Sequence, residues 1–226
     1  MLRRVFITGS NSGIGFELAK QYIRRGDDVA LFDKQFSDIT KQTLCSLAHS
    51  NQYIEFFATH ICDIEGLQIQ VNNAIAAIGK PELAIYCDRS DEITNCDHAL
   101  ALRNIATVIS PELAMNSHLA LMIPVTNKAQ VSPEPSVLIL AKELRQTFKP
   151  NKIKLSLMCF NKAHNASENA ADTAKQIVKS LDKQKRMVIL GLQSKLTYVM
   201  SHYLPNWVMD SVMDRLIKQQ LIRTTR

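Results

Sequence analysis

Apolar and polar positions along this chain follow two periods, and the switches between them divide it into short strands and longer helices. Val5, Phe6 and Ile7 form a first apolar run, Phe16 to Arg25 carry helical spacing, Gly26 stops that helix, and Val29 to Phe32 make a second buried run ending on Asp33. Ser37 or Asp38 then caps a helix running to about His49, with Ile39, Leu44 and Leu47 inward, and Tyr53 to Ala58 reads as the third strand. Leu67, Val71, Ala74 and Ile78 recur at helical spacing up to Gly79, and Pro81 introduces a fourth strand, Leu83 to Tyr86. A long helix from Asp91 to Met115 leads to a fifth strand over His118 to Val125. Val137 to Phe148 is helical, Ile153 to Cys159 is a sixth strand, Ala163 to Leu181 is helical with Ala170, Ala174, Ile177, Val178 and Leu181 inward, and Met187 to Leu190 is a seventh strand. Strand and helix alternate throughout, which predicts an α/β fold: a doubly wound parallel sheet covered on both faces. Residues 1–191 form one domain on this reading, and 192–226 a helical C-terminal extension of it.

Three glycines stand between the first strand and the first helix, in the pattern Thr8-Gly9-x-x-x-Gly13-x-Gly15. Gly9 lets the chain turn sharply off the strand, Gly13 lets the backbone approach a pyrophosphate, and Gly15 lets the helix pack closely on the sheet. The helix N-terminus then offers free N–H groups and its positive dipole end to two phosphates, with no basic side chain required. Asp33, eighteen positions beyond Gly15, stands where an acid hydrogen-bonds a ribose. Strand, glycine loop, helix, strand and acid is the dinucleotide-binding order of Rossmann-like sheets. The candidate cofactor-binding residues are therefore Gly9, Ser10, Asn11, Ser12, Gly13, Ile14, Gly15 and Asp33.

That glycine spacing resembles the short-chain dehydrogenase/reductase family, and the resemblance covers most of the chain while being specific in its first third. It implies a nicotinamide dinucleotide as cofactor. An acid in the place of Asp33 implies NAD, because a carboxylate there repels the 2'-phosphate of NADP, and neither Ser10 nor Asn11 is basic. Lys34 pulls the other way, since NADP-preferring members often carry a cation at its place. NAD is the expected cofactor and NADP the lesser alternative. The family's short acidic motif at the end of the third strand touches the adenine; Asp63 and Ile64 fill that role in one register, His60 in another, and Asp63 reads equally well as a helix cap. Where the family has an Asn-Asn-Ala-Gly turn beside the cofactor, this chain has Tyr86, Cys87, Asp88 and Arg89, so bulky and charged side chains are expected along the cofactor path, with Cys87 and Asp88 against it. Asn104 matches the helix asparagine that holds a water in the family's proton relay, or is a plain polar position on a mostly buried helix.

Hydride transfer in the resembled family uses a tyrosine as general acid and a lysine four residues later. The physical need is clear: a phenol of pKa near 10 does not trade protons at neutral pH unless a nearby cation stabilises its anion. Four residues after Tyr22, Tyr53, Tyr86, Tyr198 and Tyr203 stand Gly26, Phe57, Ser90, His202 and Trp207, none of them lysine. Aligning the helix on Leu144 to Phe148 puts Gln130 and Glu134 in the two places. A second register offers Leu138 and Lys142 but leaves too little chain for the long helix the fold needs. Thr126, just after the fifth strand, is the candidate replacement for the family's substrate-positioning serine. Two functions compete: a dinucleotide-binding protein that has lost the reaction and serves as a sensor or partner subunit, a pseudoenzyme, and an oxidoreductase acting on a carbonyl or alcohol through substitutes such as Lys128, Thr126, Tyr86 or His118. The first is preferred. The resemblance also implies a homo-oligomer, paired through the helices Asp91 to Met115 and Val137 to Phe148.

Composition narrows the setting. A hydrophobic share of 46% and 226 residues describe an ordinary globular protein with a sizeable core. Five cysteines with no C-x-x-C pair suggest neither a disulfide framework nor a metal site, and a reducing cytoplasm is expected. Met1 to Arg4 lead straight into the first strand, so no signal peptide is expected, nor any membrane span. The net charge of +6 lies wholly in residues 179–226, where nine cations face three anions. Without aromatic interleaving or an arginine cluster, that tail does not predict nucleic-acid binding. Its stretches Leu192 to Leu204 and Trp207 to Ile222 read as two helices, the second amphipathic, covering the sheet or making a peripheral membrane contact.

Overall fold

Fourteen segments of regular structure follow one another in the computed structural model, which describes residues 3–87, 98–125, 135–161 and 167–190. The first half runs β1 (Arg4–Thr8), α1 (Gly13–Arg24), β2 (Asp28–Asp33), α2 (Asp38–Cys45), β3 (Ile54–Ala58), α3 (Ile64–Ile78) and β4 (Leu83–Tyr86). The second runs α4 (His98–Val108), a short 3-10 turn at Ser110–Glu112, β5 (His118–Val125), α5 (Pro135–Phe148), β6 (Lys154–Asn161), α6 (Ser167–Asp182) and β7 (Met187–Ile189). The strands make one parallel sheet in the order β3-β2-β1-β4-β5-β6-β7. This is the expected doubly wound, Rossmann-like α/β architecture, and its direction of winding reverses between β1 and β4. Val5 shows the junction: it pairs with Val29 on one side and Leu83 on the other.

Alternation along each strand sends side chains to two separate cores. Val5, Ile7, Val29, Leu31 and Ile85 face one way, onto Leu18, Ala19, Tyr22 and Ile23 of α1, Leu44 of α2, and Ala170, Ala174, Ile177 and Leu181 of α6. Phe6, Ala30, Phe32, Ala84 and Tyr86 face the other, onto Leu67, Val71 and Ala74 of α3 and the buried stripes of α4 and α5. Phe32 bridges Phe6 and Phe57, with ring centroids 5.4 and 5.3 Å away. The central strands are therefore buried on both faces, which is why their sequences read as unbroken apolar runs.

Two helices and one cysteine differ from their sequence-based expectation. The helix expected to reach Met115 ends at Val108, because Pro111 has no N–H for a helical bond and its ring opposes the preceding turn; Met115 is 69% exposed. The helix capped at Ser37 stops at Cys45 rather than near His49. Within it Ile39, expected inward, is 77% exposed, and Thr40 takes the inner place because its hydroxyl is bonded to the glycine loop. Cys62 is disulfide-bonded, which corrects the expectation from cysteine spacing, while Cys45 and Cys159 are free thiols. The expected helix segments over 91–97 and 163–166 and the two tail helices lie outside the described residues. No helix among the described residues is long and apolar enough to cross a membrane.

Candidate functional site

Where the winding of a parallel sheet reverses, the loops leaving the two central strands part and open a crevice at their carboxyl ends. Here those strands are β1, ending on Thr8, and β4, ending on Tyr86 and followed by Cys87. The Thr8 hydroxyl spans them: Oγ1 accepts from Cys87 N at 3.1 Å and lies 3.4 Å from the Cys87 carbonyl, to which it donates. Gly9 sits beside that carbonyl at φ +62°, and a Cβ on it would lie 2.5 Å from Cys87 O. Glycine is thus required twice over, by the backbone conformation and by the neighbouring strand.

The loop then runs over Ser10, Asn11 and Ser12 into α1. Ser10 is fully buried, and its backbone N–H and its hydroxyl both donate to Phe32 O, at 3.4 and 3.3 Å. Ser12 occupies the cap position in an extended conformation and is exposed, yet its side chain makes no capping bond, and no acid stands in the first turn of α1. Such a helix end suits an anion. Gly13 opens α1 at φ +58°. Ile14 can offer only its backbone to a cofactor, since its side chain is 3% exposed in the α1 core. Gly15 packs against the loop itself rather than the sheet: a Cβ there would stand 2.1 Å from Gly9 O.

Asp33 closes this half of the crevice from the end of β2. Its carboxylate is 4% exposed and accepts Asn11 N on Oδ2 at 2.9 Å and Lys34 N on Oδ1 at 2.8 Å. The Lys34 side chain is exposed. Asp63 is the N-cap of α3, its Oδ1 accepting from Gly66 N at 3.0 Å, with Ile64 beside it 43% exposed. His60, the alternative in that place, is exposed and its Nδ1 accepts from Cys62 N at 3.2 Å. Asn104 is 4% exposed and its amide donates to Ile61 O at 3.0 Å, tying α4 to the loop before α3. Thr126, Asp88, Arg89, Lys128, Gln130 and Glu134 lie outside the described residues.

Two of the substitute acids do not face the crevice. Tyr86 is 1% exposed and belongs to the core cluster that holds Phe6 and Phe32, so its ring does not stand along the cofactor path as its bulk led one to expect. His118 is the first residue of β5, at the end of the sheet opposite the glycine loop. Lys142, from the second helix register, is exposed on α5.

No protein-family model matches the sequence, and no curated protein matches it. Solved structures do. The apo form of LigD from Sphingobium sp. strain SYK-6 is similar at a TM-score of 0.71 and 16% identity, over 94% of this chain and 96% of that one. A short-chain dehydrogenase/reductase from Burkholderia phymatum, in complex with NAD, is similar at 0.63 and 14%, over 83% and 88%. A short-chain dehydrogenase from Burkholderia cenocepacia J2315, in complex with NADP, is similar at 0.65 and 14%, over 85% and 98%. The fold is that of the short-chain dehydrogenases/reductases. At these identities the likeness is one of backbone, and the residues of the site speak for themselves.

Within that fold, the sequence pattern found the loop and its acid but missed Thr8, Ser37 and Thr40 as parts of the site. Thr8 was visible as the residue opening the glycine pattern. Ser37 was legible only as a helix cap, and Thr40 carried no signal, since its partner is a backbone carbonyl twenty-nine residues away.

Proposed function

We propose that this chain is a divergent short-chain dehydrogenase/reductase that binds a nicotinamide dinucleotide, NAD in preference to NADP, and has lost the family's hydride-transfer machinery, serving as a sensor or partner subunit. The observation that carries the reading is the cradle at the switch point. Gly9 and Gly15 are held where any Cβ would clash, and the start of α1 is left without a side-chain cap or an acid. Ser10 to Gly15 would hold the pyrophosphate through backbone N–H groups, and the solved structures with bound NAD and NADP support a dinucleotide as the ligand. Asp33, at the end of β2, supports NAD. When bound, the nicotinamide would supply a hydride acceptor or donor.

Loss of the reaction rests on the tyrosine count: none of the five has lysine four residues on. Asn104 and Thr126 remain the nearest matches to the family's relay asparagine and serine. We place the protein in the cytoplasm, because nicotinamide dinucleotides are intracellular reagents; the Cys62 disulfide points the other way. Residues 192–226 complete the same domain or carry a peripheral membrane contact. Self-association through α4 and α5 is supported by exposed Leu100, Leu138 and Ile139.

Calorimetric titration with NADH tests the central claim. Saturable binding is expected, with a thermal shift. No heat and no shift at millimolar cofactor ends it, and clear preference for NADPH removes the selective role given to Asp33.

A further inference from the structure

Asp33 is a buried carboxylate whose two oxygens are both taken by backbone N–H groups, Asn11 N on one and Lys34 N on the other, while its own carbonyl accepts Thr59 N at 2.8 Å. Asn11, at the tip of the glycine loop, is held at three separate points. Its N–H is bound by Asp33, its side-chain Oδ1 accepts from Ser37 N at 3.3 Å, and its carbonyl accepts from the Thr40 hydroxyl at 3.4 Å. Ser37 and Thr40 are themselves joined: their hydroxyls lie 2.8 Å apart, and Ser37 Oγ also caps Thr40 N at 3.1 Å. Ser10 fastens the near side of the loop to Phe32 O. The loop is therefore tied down along its outer edge to β2 and the first turn of α2.

We infer that Asp33 and Asn11 are positioning residues, which hold the glycine loop in its phosphate-receiving shape before any dinucleotide arrives, so that Asp33 acts on the cofactor through the loop in addition to repelling a 2'-phosphate. This deepens, and rests on, the reading of the chain as a dinucleotide-binding protein. A loop with positive-φ glycines at 9 and 13 has many conformations open to it, and a ligand that must select one of them binds more weakly than a ligand that meets it preformed. A charged acceptor is the strongest available tie for a backbone N–H. Asparagine at position 33 would turn an NH2 group toward one of the two N–H donors, so one tie would be lost and a donor would face a donor.

The test compares the full-length wild type with Asp33→Asn, Asn11→Ala and Thr40→Val. Amide exchange of residues 9–13 is read without cofactor, and NADH and NADPH dissociation constants are read by fluorescence titration, at a temperature where each melting curve shows the fold intact. For Asp33→Asn, loop exchange should quicken by roughly tenfold or more, and NADH should weaken by a factor of that order, as expected for loss of a hydrogen bond to a charged group. Asn11→Ala and Thr40→Val leave the carboxylate in place and should show the same pattern at about threefold. Unchanged loop exchange in Asp33→Asn overturns the inference and leaves Asp33 a ribose selector alone. If Asp33→Asn does not fold, the other two variants decide on the same readings, and wild-type exchange in both overturns the inference. Should the wild type bind neither dinucleotide, the functional reading fails, while the exchange measurements still uphold or overturn the clamp.

Discussion

His118 Nε2 lies 2.7 Å from Ser156 Oγ, and the serine hydroxyl donates onward to the Lys185 carbonyl, so the imidazole must be the donor of the first bond. The chain of contacts joins β5, β6 and the turn before β7 with a neutral histidine. Burial pushes His118 down from an ordinary 6.5 to about 4, and the cations Lys154 and Arg3 act in the same direction. Between those two values the unfolded chain binds the extra proton and the folded chain does not. Stability is therefore fully present above about pH 6.5, falls as pH drops toward 4, and changes no further on this account below it. The loss should be on the order of 3 kcal/mol. His118→Gln keeps an N–H donor and cannot titrate, so the urea midpoint of the variant should lose less than that of the wild type between pH 7 and 4. Parallel curves would show that another group drives the change.

Gly15→Ala should disturb the cradle more than the fold. The added methyl meets Gly9 O, which is backbone and cannot rotate away. Overpacking of this kind costs about 1–3 kcal/mol, visible as a lower urea midpoint. Because the displaced atoms are those of the glycine loop proposed to receive the phosphates, NADH affinity should fall by more than about tenfold, a larger effect than the stability change predicts for a folded protein. Equal affinity in wild type and variant would mean that the dinucleotide does not sit on this loop.

Carbonyl reduction with generic family substrates should be absent or very slow. No tyrosine has the activating lysine, Tyr86 is 1% exposed in the core, and His118 stands at the far end of its strand. A steady-state assay with NADH and with NADPH decides the point. Turnover of about 1 per second or faster, ordinary for an enzyme, refutes the expectation.

Ile139→Glu should dissociate an oligomer without unfolding the subunit. Ile139 is 60% exposed and lines a groove of about 330 Å³ between α4 and α5, with Leu102, Val137 and Leu140. A charge there is harmless in a monomer and costly in a paired interface. Light scattering at micromolar concentration should give a dimeric or tetrameric mass for the wild type and a monomeric one for the variant; a monomeric wild type rejects the pairing.

Strand and helix assignments were legible because most apolar positions answer to one sheet. Val5 to Ile7, Leu83 to Tyr86 and His118 to Val125 needed nothing beyond period and composition. The errors fall where a local group outweighs periodicity: Pro111 ends α4 early, and a hydroxyl bond turns Thr40 inward at the expense of Ile39. In the site, the glycine pattern carried the conformation of Gly9 and Gly13. It did not carry the partners of Asp33, because a carboxylate that binds a ribose and one that binds backbone look alike in sequence. Tyr86 misled by its size, since only the strand's alternation, read against its neighbours, shows which face it occupies.

The Thr8 hydroxyl and the Cys87 backbone meet across a separation of 79 residues. On the Thr8 side β1, β2 and β3 pair with near neighbours in the chain, whereas the Cys87 side arrives only when β4 has docked beside β1. Closing so long a loop costs entropy before any contact across it is made. The crevice is thus a seam, absent from either half alone and completed late in assembly, and a ligand seated in it holds the two halves shut. Dinucleotide binding should accordingly protect β4 and β1 together from unfolding, raising the stability of the whole sheet by mass action rather than that of the loop alone.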